Sequence, residues 1–183
     1  HTRSLCDWSS DVCSSYLNYP SLLCDLSSEI IIAGTLTLHG KVVIGKRVRI
    51  NIPAGAELVF HGDNYVLDNV LISPASMIVI GRGTTIQANC SFLGNILISD
   101  YCLFAPNVFI SSGKHRFTGA LGLPAWSLIH LQDYLAPKAH RAIRIGADCW
   151  IGVNSVFLPG SHLAQGSIVG ANSVLRSQFL QRF

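Results

Sequence analysis

Charged side chains are scarce in this chain. Asp, Glu, Lys and Arg make up only 13% of its 183 residues, and the formal net charge is +3. No Lys/Arg block is present, so the electrostatic footprint of a nucleic-acid-binding surface is missing. Long apolar runs are missing too. Although 49% of the residues are hydrophobic, no stretch approaches the roughly 18 uninterrupted apolar residues that a spanning helix needs. No C-x-x-C pair offers the usual zinc spacing. No signal-peptide pattern is recognisable either, and the expected setting is a reducing cytoplasm. At this length one core suffices.

Helical periodicity is also absent, and what stands in its place organises the chain. Apolar residues recur at every sixth position through Ile80, Ile86, Phe92, Ile98, Phe104 and Ile110. The same period returns through Ile145, Ile151, Phe157, Leu163, Val169 and Leu175. A helical face would need spacings of three and four. Four positions after most of these residues comes a small one: Thr84, Cys90, Cys102, Cys149, Ser155, Ser161, Ser167, Ser173. Six and four are both even, so each large and small pair projects from the same side of a strand. Each hexad becomes a short strand plus a corner, and stacked coils of such strands form an all-β solenoid.

Ile32, Leu38, Ile44 and Ile50 continue the sixfold spacing upstream. The register slips between Pro53 and Ser76, where Gly62-Asp63-Asn64 reads as a turn. Between Ile110 and Ile145 the repeat breaks, and about 111–142 is expected to leave the coil as one long excursion. Long excursions from compact repeats commonly carry function. Residues 1–17 resemble the translation of a sequencing-library adapter and are set outside the fold as an artefact. Residues 18–183 form the expected single domain, which reads as truncated after Leu175. Cys90, Cys102 and Cys149 take small inward positions, Cys6 and Cys13 fall in the excluded segment, and Cys24 lies outside the pattern, so no disulfide framework is expected.

The stretch Ile145-Gly-Ala-Asp-Cys-Trp-Ile-Gly-Val-Asn-Ser-Val-Phe-Leu-Pro-Gly160 resembles the hexapeptide-repeat acyltransferases. Within them it is most similar to the branch of maltose, galactoside and exopolysaccharide O-acetyltransferases. The resemblance covers roughly Ile30 to Leu175. It implies a left-handed parallel β-helix, a hand that the period alone does not give, because ordinary parallel crossovers are right-handed. It also implies acetyl-CoA as donor, a sugar or polysaccharide acceptor, and a homotrimer with active sites between neighbouring prisms.

Acyl transfer from a thioester to a hydroxyl needs a base for the hydroxyl proton and donors for the tetrahedral oxyanion. In the resembling enzymes an Ala-Pro-Asn-Val segment followed by a His supplies the base, a pattern met here by Ala105-Pro-Asn-Val108 and His115. His130 and His140 share the excursion without a matching motif. His39 and His61 fall at apparent turns and His162 at a variable hexad position, and all three read as solvated surface. The resemblance places Trp150 beside the ligand, gives the Val153 backbone N–H to the oxyanion, and runs the coenzyme past Gly152, Gly170 and Ala171. Glycines at corners have a steric explanation as well, and Trp150 an ordinary packing one. Arg176 could meet a coenzyme phosphate. For the sugar, Thr85, Gln87 and Asn89 lie one coil earlier. Asn89 and Asn107 are carried as substrate-binding candidates, although asparagine at a solenoid corner also stacks for structural reasons. No metal is expected. A γ-type carbonic anhydrase would need three zinc-binding His, and no second His follows His115 at coil spacing. Acetyl transfer to a small hydroxylated compound such as an antibiotic, and a non-catalytic scaffold, stay open.

Overall fold

The computed structural model describes residues 3–4, 16–19, 21–113, 141–176 and 178–179. Among these the chain is all strand and corner, wound as a left-handed parallel β-helix of about six turns. Three faces form a triangular prism. The first stacks β4 (Glu29–Ile32), β7 (Arg49–Ile52), the start of β10 (Leu71–Ile80), the start of β12 (Ser91–Ile98), β14 (Phe109–Ser111), β17 (Val156–Phe157) and β20 (Val174–Leu175). The second stacks β5 (Thr35–Leu38), β8 (Glu57–Phe60), the ends of β10 and β12, β15 (Ile143–Ile145), β18 (His162–Leu163) and β21 (Gln178–Phe179). The third stacks β3 (Leu22–Asp25), β6 (Val42–Ile44), β9 (Asn64–Val66), β11 (Thr85–Ile86), β13 (Leu103–Phe104), β16 (Trp150–Ile151) and β19 (Ile168–Val169). Neighbouring coils pair in parallel throughout. β12 bends from the first face to the second without breaking, and Gly94, at a φ of 97°, supplies the bend.

The sixfold register holds from Ile80 onward. Every large hexad residue named above from Ile80 to Ile110 and from Ile145 to Leu175 is buried. Phe60, Phe92, Phe104 and Phe157 are fully enclosed, and Phe92 meets Phe104 edge to face at 5.2 Å between centroids. Burying one such ring contributes roughly 1.5–3 kcal/mol.

The small positions do more than leave room. Cys90 Sγ donates to Ala105 O (3.2 Å), Cys149 Sγ to Ala164 O (3.1 Å) and Ser155 Oγ to Gly170 O (3.1 Å), each fifteen residues ahead at a corner of the next coil. Across the excursion, Cys102 Sγ reaches Gly146 O at 3.1 Å. A hydroxyl or thiol there satisfies a corner carbonyl that alanine would leave without that donor. Among the described residues no buried side-chain nitrogen or oxygen lacks a partner.

One corner explains the slipped register upstream. Arg47, Asn69, Asn89, Asn107, Asn154 and Asn172 all sit there at φ between 53° and 62°. Asparagine accepts this left-handed backbone more readily than most residues. Arg47 Nε donates to Asn69 Oδ1, Asn69 Nδ2 to Asn89 Oδ1, Asn107 Nδ2 to Asn154 Oδ1 and Asn154 Nδ2 to Asn172 Oδ1, at 2.8–3.1 Å. The separations along this ladder are 22, 20, 47 and 18 residues, which are the lengths of the coils it spans. Early coils therefore exceed three hexads, and a strict period of six loses register in them. Ile30 is fully buried, whereas Ile32 and Leu38, expected as the inward pair, pack against the core only partly buried.

Two further expectations are adjusted. Gly62 and Asp63 do form a turn, with positive φ of 95° and 53°. Asn64, however, begins β9, is buried, and donates from Nδ2 to Gly81 O at 2.8 Å. Cys24 belongs to the pattern after all, buried on the third face in register with Ile44. The boundary drawn after residue 17 falls inside β2 (Tyr16–Tyr19), which pairs antiparallel with β3, while β1 (Arg3–Ser4) pairs antiparallel with β4.

Two stability predictions arise here. Cys149→Leu should overpack the prism and cost about 1–3 kcal/mol, while Gln165→Leu, at an exposed corner, should cost under about 0.5 kcal/mol. Equal urea midpoints for the two would refute the hexad register. Burial pushes the Cys90 thiol up from its ordinary 9.0 to about 11, partly offset by the backbone N–H groups of Val108 and Asn107. A raised thiol pKa means that the folded chain holds its proton where the unfolded chain has released it. Stability should therefore fall as pH rises from 9.0 towards about 11. Urea midpoints at either end of that window check this, and Cys90→Ser should flatten the slope.

Candidate active site

The excursion leaves the prism at the corner between the first and second faces. Ser112 is buried there. Its N–H donates to Leu93 O (3.0 Å), and its Oγ accepts from Asn95 N–H (2.6 Å). On the returning side Arg141 N–H donates to Ser112 O at 3.2 Å, and Gly160 N–H donates to Arg141 O at 3.0 Å. The two ends thus meet within one hydrogen bond, and the coil closes as if uninterrupted. Ser111 still lies in β14 and Ala142 directly precedes β15, so the break is slightly narrower than the 111–142 expected. His115, His130 and His140 lie outside the described residues.

The coenzyme candidates gather at a different corner, where the third face turns into the first. Gly152 lies directly over Gly170 and Ala171. A Cβ at Gly152 would stand 2.7 Å from Ala171 N and 2.8 Å from Gly170 C, both backbone atoms, so the close stacking itself requires glycine. Gly152 N–H donates to Val169 O and Asn154 N–H to Pro106 O. The intervening Val153 N–H makes no hydrogen bond with any described residue, and neither does Ala171 N–H one coil on. Two backbone donors therefore stand open along one edge.

Trp150 lies on the outer side of the third face, 53% exposed, with Leu103 and Ile168 as its in-register neighbours. It is beside the Gly152 corner but is not packed into the prism. Asn89 and Asn107 have both become rungs of the ladder: Asn89 Oδ1 accepts from Asn69 and Asn107 Nδ2 donates to Asn154. The ladder accounts for them without a sugar. Thr85 and Gln87 flank β11's inward Ile86 on the third face.

Sequence reasoning missed what lies between the two corners. Phe109, Val156 and Val174 are in register on the outside of the first face, with Phe109 and Val174 exposed, and they floor the surface from the Val153 edge to the excursion root. That span runs from Pro106 to Ser112, six residues on, at most roughly 20 Å. The signal was present as an apolar residue immediately before the inward Ile110, Phe157 and Leu175, where a strand with one wet face would carry a polar one. The Cys102 and Cys149 thiols, at the corner between the second and third faces, serve the core. Cys102 is held well above the usual thiol range by the neighbouring Cys149 thiol and by burial.

Residues 142–177 match the bacterial transferase hexapeptide family (six repeats). Among curated proteins the chain is similar to one of Escherichia coli (strain K12) named as a lipopolysaccharide biosynthesis O-acetyl transferase, WbbJ. The two are 28% identical over 123 residues, which is 67% of this chain and 53% of WbbJ. The chain therefore spans about half the length of the relative it matches. No solved structure gives a significant match. The resemblance read from Ile145–Gly160 thus finds support in both comparisons, and residues 142–177 carry repeats that match the bacterial transferase hexapeptide type.

Proposed function

We propose that the chain is an acetyl-CoA-dependent O-acetyltransferase acting on a sugar hydroxyl, with His115 as general base. The similarity to an O-acetyl transferase of lipopolysaccharide biosynthesis carries the reading. The acceptor is a surface polysaccharide, its precursor or a free saccharide, and the reaction takes place in the cytoplasm. In the step itself the acceptor hydroxyl attacks the thioester carbonyl and its proton passes to the His115 imidazole. The tetrahedral oxyanion is held by the open Val153 N–H. Collapse expels the coenzyme thiolate, which recovers the proton from His115 and leaves as the thiol.

The placement of the two candidate sets supports a shared site. The excursion root and the Val153 edge occupy different corners of one prism, at opposite ends of the first face. A homotrimer brings the excursion of one prism against the edge of its neighbour, and light scattering should give three times the 19.8 kDa chain mass. A monomer that transfers acetyl groups would remove the shared-site arrangement. The activity is tested by incubating the chain with acetyl-CoA and a panel of saccharides, following thiol release and the O-acetyl mass increment. Thiol release that depends on a saccharide is the expected result. Release equal to the saccharide-free blank across the panel would overturn the reading.

A further inference from the structure

The second face changes character at the excursion root. Down its outer side the in-register residues run Val59, Val79, Leu97, then Arg144 and His162. Arg144 is exposed and His162 half-buried, both with side chains turned outward. Arg141 joins them at the same corner: its Cβ and Cδ lie against Gly160, two residues before His162. None of the three side chains hydrogen-bonds or pairs with any described residue. Arg47, by contrast, is held on the ladder through Asn69. Arg144 stands directly beside His162 with Arg141 close by, and among the described residues no carboxylate pairs with any of the three. The arrangement suits an anion that arrives from outside.

We propose that Arg141, Arg144 and His162 form a phosphate-binding face at the root of the excursion. Each guanidinium presents a planar fork that makes two parallel hydrogen bonds to an oxyanion. Two forks and an imidazole N–H offer more donors than the roughly four lone-pair positions of a single carboxylate can accept. A phosphate ester or a diphosphate has the oxygens to use them. Within the acetyl-transfer reading, on which the source of the anion rests, two ligands supply such groups: the phosphates of the acyl donor and the diphosphate of an activated sugar acceptor.

The test measures binding, so it needs no turnover. Calorimetric titrations would use inorganic pyrophosphate, coenzyme A, 3′-dephospho-coenzyme A and a nucleoside-diphosphate sugar against the full chain and its variants. Arg144→Gln should weaken pyrophosphate binding about tenfold, as loss of a charge-assisted bond does. His162→Gln should weaken it less, and Arg49→Gln, on the first face, should leave it unchanged. All three positions face outward, and melting temperatures close to the parent's would confirm that the variants fold. If Arg144→Gln weakens coenzyme A but not dephospho-coenzyme A, the 3′-phosphate of the donor is the occupant. Equal weakening of both coenzymes assigns the face to the donor's diphosphate. Weakening of the nucleoside-diphosphate sugar alone assigns it to the acceptor. A chain that binds pyrophosphate through Arg144 but transfers no acetyl group keeps the phosphate face and loses the reaction. If none of the four probes binds, or if both Arg144→Gln and an Arg141→Gln/Arg144→Gln double variant bind all of them as the parent does, the proposal is wrong.

Discussion

His115→Ala should reduce saccharide-dependent acetyl transfer by roughly 10²–10⁴, the usual contribution of a positioned general base. Acetyl-CoA affinity should change little, because the proposed mechanism gives the imidazole the acceptor's proton and assigns the coenzyme to the Gly152 and Val153 edge. His130→Ala and His140→Ala should each lose far less. For the parent, kcat/KM should rise with pH through the ordinary histidine range, near a pKa of about 6.5. That limb should disappear in His115→Ala. The limb separates a base from a residue that merely shapes the excursion, since a purely structural loss lowers the curve without removing its inflection. An active His115→Ala variant that keeps the parent's limb would place the base elsewhere.

The second large effect concerns stability. Phe104→Ala should cost about 3–5 kcal/mol, because the transfer free energy of the ring is lost and a cavity is left behind. Phe104 is fully enclosed and stacks edge to face on Phe92 of the same coil. Its strand β13 is covered by β11 on one side and β16 on the other, so neither neighbour can collapse into the void without dragging a ladder of backbone bonds. Denaturant unfolding should show a lower midpoint with an unchanged slope. Phe109→Ala, one strand further and facing outward, should cost much less, because its ring is already 41% exposed. A Phe104→Ala loss no greater than that of Phe109→Ala would mean that the third face does not carry the core described.

How far the sequence discloses this molecule depends on which interaction sets each residue. From Ile80 onward a single steric demand repeats, namely one large and one small side chain inside a narrow prism, and the fold follows from the period. Upstream, coils of 22 and 20 residues are indexed by ladder residues such as Asn69 and Asn89. Those asparagines recur at unequal separations, so no fixed period finds them. Cys24 looked unpatterned for the same reason. Hydrogen bonds from Cys90, Cys149 and Ser155 to corner carbonyls in the next coil were hidden because a size rule already explained those residues. The site was legible in pieces. Trp150, Gly152, Val153, Gly170 and Ala171 all came from the family resemblance. The apolar signal at Phe109 was present, but it and Arg144 take their places only once it is known which strands lie side by side. Asn107 shows the opposite hazard: a polar residue beside a motif that the fold itself employs, through Asn154.

The meeting of Ser112 and Arg141 has one more consequence. With the ends of the excursion 3.2 Å apart, the prism does not register how much chain lies between them. Closing a longer segment over the same gap costs only about 0.6 kcal/mol per doubling of its length. The corner is therefore a splice point: segments of differing length and chemistry can be exchanged there while the scaffold below stays as stable as before. The chemistry of the excursion and the robustness of the prism become separately heritable, and selection acting on one need not spoil the other.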